Sequence, residues 1–358
     1  MTDDTFYISS ISVTNIFGCK DVNWQLFEDV NILGGINGSG KSTIISAVHR
    51  LMTTGFMDER QANLIDKVVL NFTNGATLTW EKQKATLKTY VPDEAYRYKV
   101  DTTRTDEDGY FTVQRSRFTD ADGQIIPITR LTRTMQVDYL SAFDQMRLRQ
   151  DIAEAIGETR LQTNLDLMLY REISRRNQLL VSSLRFLSLV NKHREITQLQ
   201  KQLQQALSEI HDNDDDNIEI ARLEETIASK LDFTSQSLID IHELIDKFFA
   251  STGKRSVKDA GTFKFITGED CIDYMQLSTG EKQLLLVLLK ASNTECRPSV
   301  ILLDEADLGM HIEWKERLIS TLRDINPHMQ VIIATHAPSV IKGWFENVKE
   351  MDEISTYK

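Results

Sequence analysis

The sequence predicts an α/β fold, a mixed sheet with an antiparallel β region into which a short antiparallel helical arm is inserted. Three observations predict it. A glycine-rich stretch, Gly35 to Thr43, lies between the apolar run Val30-Asn31-Ile32-Leu33 and a segment whose apolar residues recur at helical spacing. Two continuous apolar runs, Val300 to Leu303 and Val331 to Ala334, have the pattern of strands covered on both faces. Between the glycine loop and those runs, residues 161 to 210 contain neither glycine nor proline, as a long helix requires.

From the N-terminus, residues 6 to 14 are rich in β-branched and aromatic side chains and read as a strand, with Asn15-Ile16-Phe17-Gly18 as a turn. A second strand through Val22 to Phe27 leads to the glycine loop. Strand, glycine loop and helix, in that order, make a phosphate cradle. Gly35, Gly38 and Gly40, with Asn37 and Ser39 between them, let the backbone turn tightly and aim N–H groups inward, and the helix that follows adds its positive dipole end. Lys41 can then reach the β- and γ-phosphates and the Ser42 hydroxyl can ligate Mg²⁺, with Thr43 closing the motif. The loop therefore reads as a nucleoside triphosphate site.

After the loop helix, residues 66 to 135 carry Thr, Val, Tyr and Phe runs punctuated by Asn74-Gly75, Asp108-Gly109 and Asp122-Gly123, each a hairpin signal, so an antiparallel β region is expected there. Met135 to Leu140 adds one more strand, and the chain turns helical at about Phe143. Farther on, Leu189, Ile196, Leu203 and Ile210 fall at heptad spacing with Leu199 and Ala206 at intervening core positions. The acidic run His211 to Asn217 breaks the pattern, and a second helical stretch runs from Ile218 towards Phe249. Its aspartates read as a solvated turn between two helices rather than a metal site. Arg171, Arg175, Arg176 and Arg185 read as a solvated helix face or as a docking face for nucleic acid or a partner. Residues 1–145 and 256–358 are thus expected to form one head, with residues 146–255 as the inserted arm.

Composition narrows the function classes. With 358 residues and a formal net charge of −12 the chain is not basic all over, so any nucleic-acid contact has to come from a local patch. Cys19, Cys271 and Cys296 are odd in number and far apart, with no C-x-x-C pair, which implies neither a disulfide framework nor a zinc site. The acidic N-terminus and a longest pure apolar run of only Leu284 to Leu289 give no export signal or membrane span, and a cytoplasmic location is expected.

Three further motifs complete the site. Leu277-Ser278-Thr279-Gly280-Glu281-Lys282-Gln283 precedes an apolar helix, the run from Val300 ends in Asp304-Glu305, and the run from Val331 ends in Thr335-His336. In an open parallel sheet, ligands bind outside the carboxyl ends of the strands, where the loop before Lys41, the two carboxylates and His336 would arrive together. There Asp304 is expected to hold Mg²⁺, Glu305 to orient and deprotonate the attacking water, and His336 to hydrogen-bond the γ-phosphate.

Gly35 to Thr43 resembles a Walker A motif, Leu277 to Gln283 an ABC signature, Val300 to Glu305 a Walker B motif, and His336 the switch histidine of ABC-type ATPases. Within that superfamily the chain is similar to the SMC, RecF and OLD-like branch, in which a helical arm separates the Walker A lysine from the signature and a Leu-His segment, resembled by Leu308-Gly309-Met310-His311, follows Walker B. Ala337 departs from the common Thr-His-Ser-Pro and removes a hydroxyl. The resemblance implies ATP and Mg²⁺ as cofactors and ATP hydrolysis as the activity. It also implies a Q-loop glutamine on the metal, Gln136 with Gln145 as rival, and a homodimer in which Ser278 and Gly280 meet the γ-phosphate held by the other subunit. Because the chain ends soon after His336, without the nuclease domain of OLD proteins, a separate effector protein is expected. Such a chain would be an ATP-driven switch in anti-phage defence, a RecF-like ATPase binding DNA, or a nucleotide-dependent scaffold with little turnover.

Overall fold

The computed structural model describes residues 6–86, 92–105, 110–142, 146, 148–149, 152, 156–157, 160–182, 241–257, 263–295 and 297–358. The chain divides into two compact units, Met1–Met146 with Cys296–Lys358, and Arg147–Glu295. The heptad seam, the acidic run 211–217, Arg185, Asp108-Gly109 and Gln145 all lie outside the described residues.

In the first unit, β1 (Ile8–Ile16) and β2 (Lys20–Gln25) form an antiparallel pair and β3 (Val30–Gly34), buried throughout, leads to the glycine loop. Helix α1 (Lys41–Thr54) starts at the end of that loop and stops at Gly55, whose φ of 81° and N–H bond to the Leu51 carbonyl make a left-handed cap. It buries Ile44, Ile45, Val48, Leu51 and Met52, the apolar stripe that the sequence spacing predicts. After α2 (Glu59–Leu64), capped by the Asp58 carboxylate on the Gln61 N–H, come β4 (Lys67–Phe72), β5 (Thr77–Ala85), β6 (Arg97–Thr105) and β7 (Phe111–Thr119). Asn74-Gly75 turns β4 into β5, and Asp122-Gly123 closes a bend beyond β7, as the hairpin signals predict. The antiparallel expectation fails over α3 (Ile128–Thr134), which buries Ile128 and Leu131 at helical spacing behind Pro127. β8 (Gln136–Ser141) follows.

In the second unit a helix α4 covers residues 164–182 and a helix α5 residues 241–249. Strands β9 (Lys254–Ser256), β10 (Lys264–Thr267) and β11 (Asp270–Asp273) form an antiparallel three-stranded sheet, and α6 (Thr279–Ser292) follows. The solvated or docking face expected of the arginines is corrected at Arg176, which is 2% exposed. Its guanidinium donates to the Ser292 hydroxyl at 2.8 Å, and burial pulls its pKa down to about 10. Around it Glu172 accepts from Lys290 and from the Asn293 amide, and Asp166 accepts from Lys282 at 2.7 Å, so α4 and α6 are joined by buried, paired charges.

Returning to the first unit, β12 (Ser299–Asp304) and β13 (Met329–Ala334) are buried at every position, as their continuous apolar runs require. Helices α7 (Ile312–Ile325) and α8 (Pro338–Ile341) follow them, and β14 (Val348–Glu350) and β15 (Ser355–Tyr357) end the chain. Two sheets result. Order β15-β2-β1-β4-β5-β7-β6 is antiparallel, and order β14-β3-β13-β12-β8 is parallel. Buried residues of α1 share one apolar core with Trp24 and Trp80 of the first sheet and Leu302 and Ile332 of the second. The loop helix is thereby held by both sheets.

Candidate nucleotide-binding site

Parallel register fixes where the loops arrive. Leu33 pairs with Ala334, Ala334 with Asp304, and Asp304 with Ser141, so β3, β13, β12 and β8 end at one level. The glycine loop, Glu305 and His336 all follow those ends directly. Backbone conformation in the loop demands glycine: φ is 130° at Gly35, 80° at Gly38 and 106° at Gly40, and a Cβ at Gly40 would lie 2.9 Å from Ile16 Cδ1. At Gly38 a Cβ would meet nothing within 4 Å, leaving open space over the loop. No side chain caps α1 and no acidic residue stands in its first turn, which leaves its positive end for an anion.

Lys41 is buried, and its ammonium donates to the carbonyls of Gly35 at 2.8 Å and Ile36 at 3.1 Å, with Nε2 of His336 at 2.8 Å. Burial lowers its pKa, against the opposing pull of Glu305, Asp304 and Glu350. The Ser42 hydroxyl donates to Asp304 Oδ1 at 2.8 Å. Asp304 is 2% exposed, and that burial raises its pKa despite the bonds from Ser42 and Tyr139. Glu305 takes a left-handed φ of 51°, with its N–H on the Ala334 carbonyl at 2.8 Å and Oε1 3.4 Å from His336 Nε2. A glutamate held in that region stores backbone strain where the carboxylate is aimed. Asn37 is exposed at the loop tip and Thr43 half-buried in the first turn of α1.

Lys41, Ser42, Asp304, Glu305 and His336 thus converge on one end of the parallel sheet. Gln136 does not. It pairs with Ser299 at the opposite end of β8 and donates to Asp138 at 2.5 Å, while Ser141 is the residue beside Asp304. The expectation that Gln136 reaches the metal is corrected, because a six-residue strand separates the two ends by roughly 17 Å. Sequence reasoning missed Tyr139, whose hydroxyl donates to Asp304 Oδ2 at 3.3 Å and whose ring stacks on His49. Only strand register reveals it, since nothing in the local sequence marks that tyrosine.

Ser278 and Gly280 lie in the second unit, at the start of α6. Ser278 is exposed and caps the helix in a capping box: its N–H and hydroxyl both meet Glu281 Oε2, at 2.9 and 2.8 Å. Glu281 is buried, and although burial raises its pKa, the bonds from Lys254 and Ser278 outweigh this and lower it.

The residues present fit a nucleotide and Mg²⁺. Ser39 Oγ is buried in the loop with no protein partner, α1 is uncapped, and Ser42 with Asp304 offers two adjacent hard oxygen donors. Among the described residues no cluster of three His, Cys, Asp or Glu side chains forms a metal cage. Among those residues, too, no helix is long and apolar enough to cross a membrane.

Comparison with known proteins follows the same lines. Residues 30–342 match the family described as "AAA domain, putative AbiEii toxin, Type IV TA system". The chain is 32% identical over 95 residues to the retron Vc95 probable ATPase of Vibrio cholerae serotype O1 biovar El Tor; the shared segment is 23% of this chain and spans only 18% of that relative. The Smc head domain of Pyrococcus furiosus, bound to the C-terminal domain of ScpA, aligns over 99% of this chain and 96% of its own at 14% identity and a TM-score of 0.47. The SMC head domain of Thermotoga maritima aligns over 98% of both chains at 14% identity and a TM-score of 0.40. Matched over most of its length by that family, the chain belongs to the AAA_21 family of AAA-type ATPase domains.

Proposed function

We propose that this ATPase is a nucleotide-driven switch whose heads dimerise around ATP and control a separate effector protein in anti-phage defence. The observation that carries the chemistry is the convergence of Lys41, Ser42, Asp304, Glu305 and His336 at one end of the parallel sheet. In this reading the backbone from Gly35 to Thr43, with Asn37 and Ser39 at its tip, cradles the phosphates, and Lys41 neutralises the β- and γ-phosphates. Ser42 and Asp304 hold Mg²⁺, which supplies charge neutralisation when bound. Glu305 takes a proton from the attacking water and His336 contacts the γ-phosphate.

The exposed Ser278 and the neighbouring Gly280 complete the site of a second copy, so that ATP is closed into the interface. Residues 1–145 and 256–358 act as the head and 146–255 as the arm that receives the trigger. Similarity to a retron ATPase and to a family described with toxin–antitoxin systems supports defence as the setting, with the cytoplasm as its proposed location.

Glu305→Gln tests the proposal. Glutamine keeps reach and size but accepts no proton, so hydrolysis should slow while an ATP-dependent dimer accumulates on size exclusion with light scattering. Adding Ser278→Arg should dissolve that dimer and leave ATP binding by the monomer intact. An oligomeric state that ignores nucleotide in both variants overturns the reading. Turnover stimulated by DNA would move it to a RecF-like role.

A further inference from the structure

The loop after β12 carries a second buried carboxylate that the chemistry above does not use. Asp307 is 4% exposed, and its Oδ1 accepts from the Thr335 hydroxyl at 2.9 Å. Thr335, 1% exposed, is the residue immediately before His336. The same hydroxyl accepts from the N–H of Ala337, immediately after His336, at 3.0 Å. One oxygen therefore braces the backbone on both sides of the histidine.

Chemistry fixes the direction of that brace. A hydroxyl has one proton to give, and here it must go to the carboxylate because the other neighbour is an N–H donor. An acceptor at position 307 is required, and Asp307 is held in place by Lys315, whose ammonium lies 3.1 Å from Oδ2. The loop is short and doubly tied, with the Leu308 N–H on the Glu305 carbonyl and the Met310 N–H on the Asp307 carbonyl. Glu305, Asp307 and His336 thus belong to one hydrogen-bonded assembly, and His336 Nε2 lies between Lys41 and Glu305.

We infer that Asp307 is a positioning residue for hydrolysis, acting through the Thr335 hydroxyl to set where His336 stands relative to Lys41 and Glu305. It rests on the reading of His336 as a γ-phosphate contact. Displacing a group of that kind by about an ångström costs up to roughly a hundredfold in rate, and the ATP-binding loop itself is untouched.

Steady-state hydrolysis and affinity for a fluorescent ATP analogue, measured on the full chain, test the inference. Asp307→Ala and Thr335→Val should each lower kcat by roughly tenfold to a hundredfold and leave the analogue's Kd within about twofold. Their double variant should be no slower than the slower single one, because both cut the same link. Thr335→Ser, which keeps the hydroxyl, should restore the rate, and the ¹⁵N resonances of the His336 ring should move in the valine variant and return in the serine one. If Asp307→Ala fails to fold, the valine and serine variants at position 335 decide alone.

Multiplicative losses in the double variant, or a serine variant as slow as the valine one, overturn the inference. His336→Ala separates the two levels of the argument. Wild-type turnover in that variant removes the reading of His336 and the inference with it. Slow turnover there, beside wild-type turnover in Thr335→Val and Asp307→Ala, removes the inference alone.

Discussion

The ammonium of Lys41 lies 2.8 Å from Nε2 of His336, so the lysine of the glycine loop and the histidine at the end of β13 are direct partners. With the Gly35 and Ile36 carbonyls, His336 occupies the last of the three donors an ammonium has. An ammonium only donates, so Nε2 of His336 is the acceptor here, and under the proposed function an incoming phosphate would take Lys41 away from it. In that reading phosphate entry is an exchange of partners on both residues.

The first prediction concerns Lys41→Met. Because burial is the largest influence on Lys41 and lowers its pKa, its charge opposes folding, and that penalty is present in full below the lowered pKa and disappears only as pH rises past the ordinary 10.5. At pH 7.5 the variant should melt no lower than wild type by differential scanning fluorimetry. ATP binding by calorimetry should be lost by at least about a hundredfold, the equivalent of about 2.7 kcal/mol.

Asp304→Asn should show the same conflict between function and stability with the opposite charge. Burial raises the pKa of Asp304 above the ordinary 3.8, so the folded state holds a proton more tightly than the unfolded chain and stability is lost as pH rises through the raised value. Asparagine escapes that loss. Without nucleotide the variant should melt higher than wild type at pH 7.5, with the advantage shrinking as pH falls towards 3.8. It should also lose the Mg²⁺ dependence of ATP binding, which titration with the metal at fixed nucleotide measures.

Tyr139→Phe removes the 3.3 Å bond to Asp304 and keeps the ring stacked on His49. One hydrogen bond to a carboxylate contributes about 1.5–3 kcal/mol, and at 3.3 Å the lower end applies. The expected outcome is a roughly tenfold higher Mg²⁺ requirement for turnover, with the melting temperature lowered by a few degrees. A metal titration of the ATPase rate checks it.

Why Lys41, Asp304, Glu305 and His336 are legible in the sequence while Tyr139 and Gln136 are not follows from where each signal resides. A phosphate loop needs glycines at positions of positive φ, and central parallel strands need unbroken apolar runs, so both write themselves into consecutive residues. The end of β8 that meets the site depends instead on its register with β12, which the short alternating segment Gln136 to Ser141 does not encode. Within residues 66 to 135, expected as an antiparallel β region, α3 is helical because the packing of Ile128 and Leu131 at helical spacing overrides the local β propensity. Arg176 read as a surface cation because its partners, Ser292 and Asn293, are far away along the chain.

That arginine decides where the proposed arm can be cut. Arg176 is 2% exposed and bonded to Ser292 on α6, and its neighbour Glu172 holds Lys290 and Asn293, so α4 through Arg176 belongs to the packed part of the second unit. Replacing residues 183–240 with a short Gly/Ser linker should therefore leave a folded protein that binds ATP with unchanged affinity. A cut that starts at 175 takes Arg176 with it and leaves the Ser292 hydroxyl without the donor it has now. Truncating a fully buried side chain of this size leaves a cavity and strands its partners on Ser292 and Asn293, so Arg176→Ala alone should lower the melting temperature by several degrees, and the longer deletion should lower it further. Scanning fluorimetry of the two deletions and the point variant, beside ATP binding for each, measures the difference. Equal stability of the short and long deletions would show that the contacts of Arg176 do not hold α4 to α6.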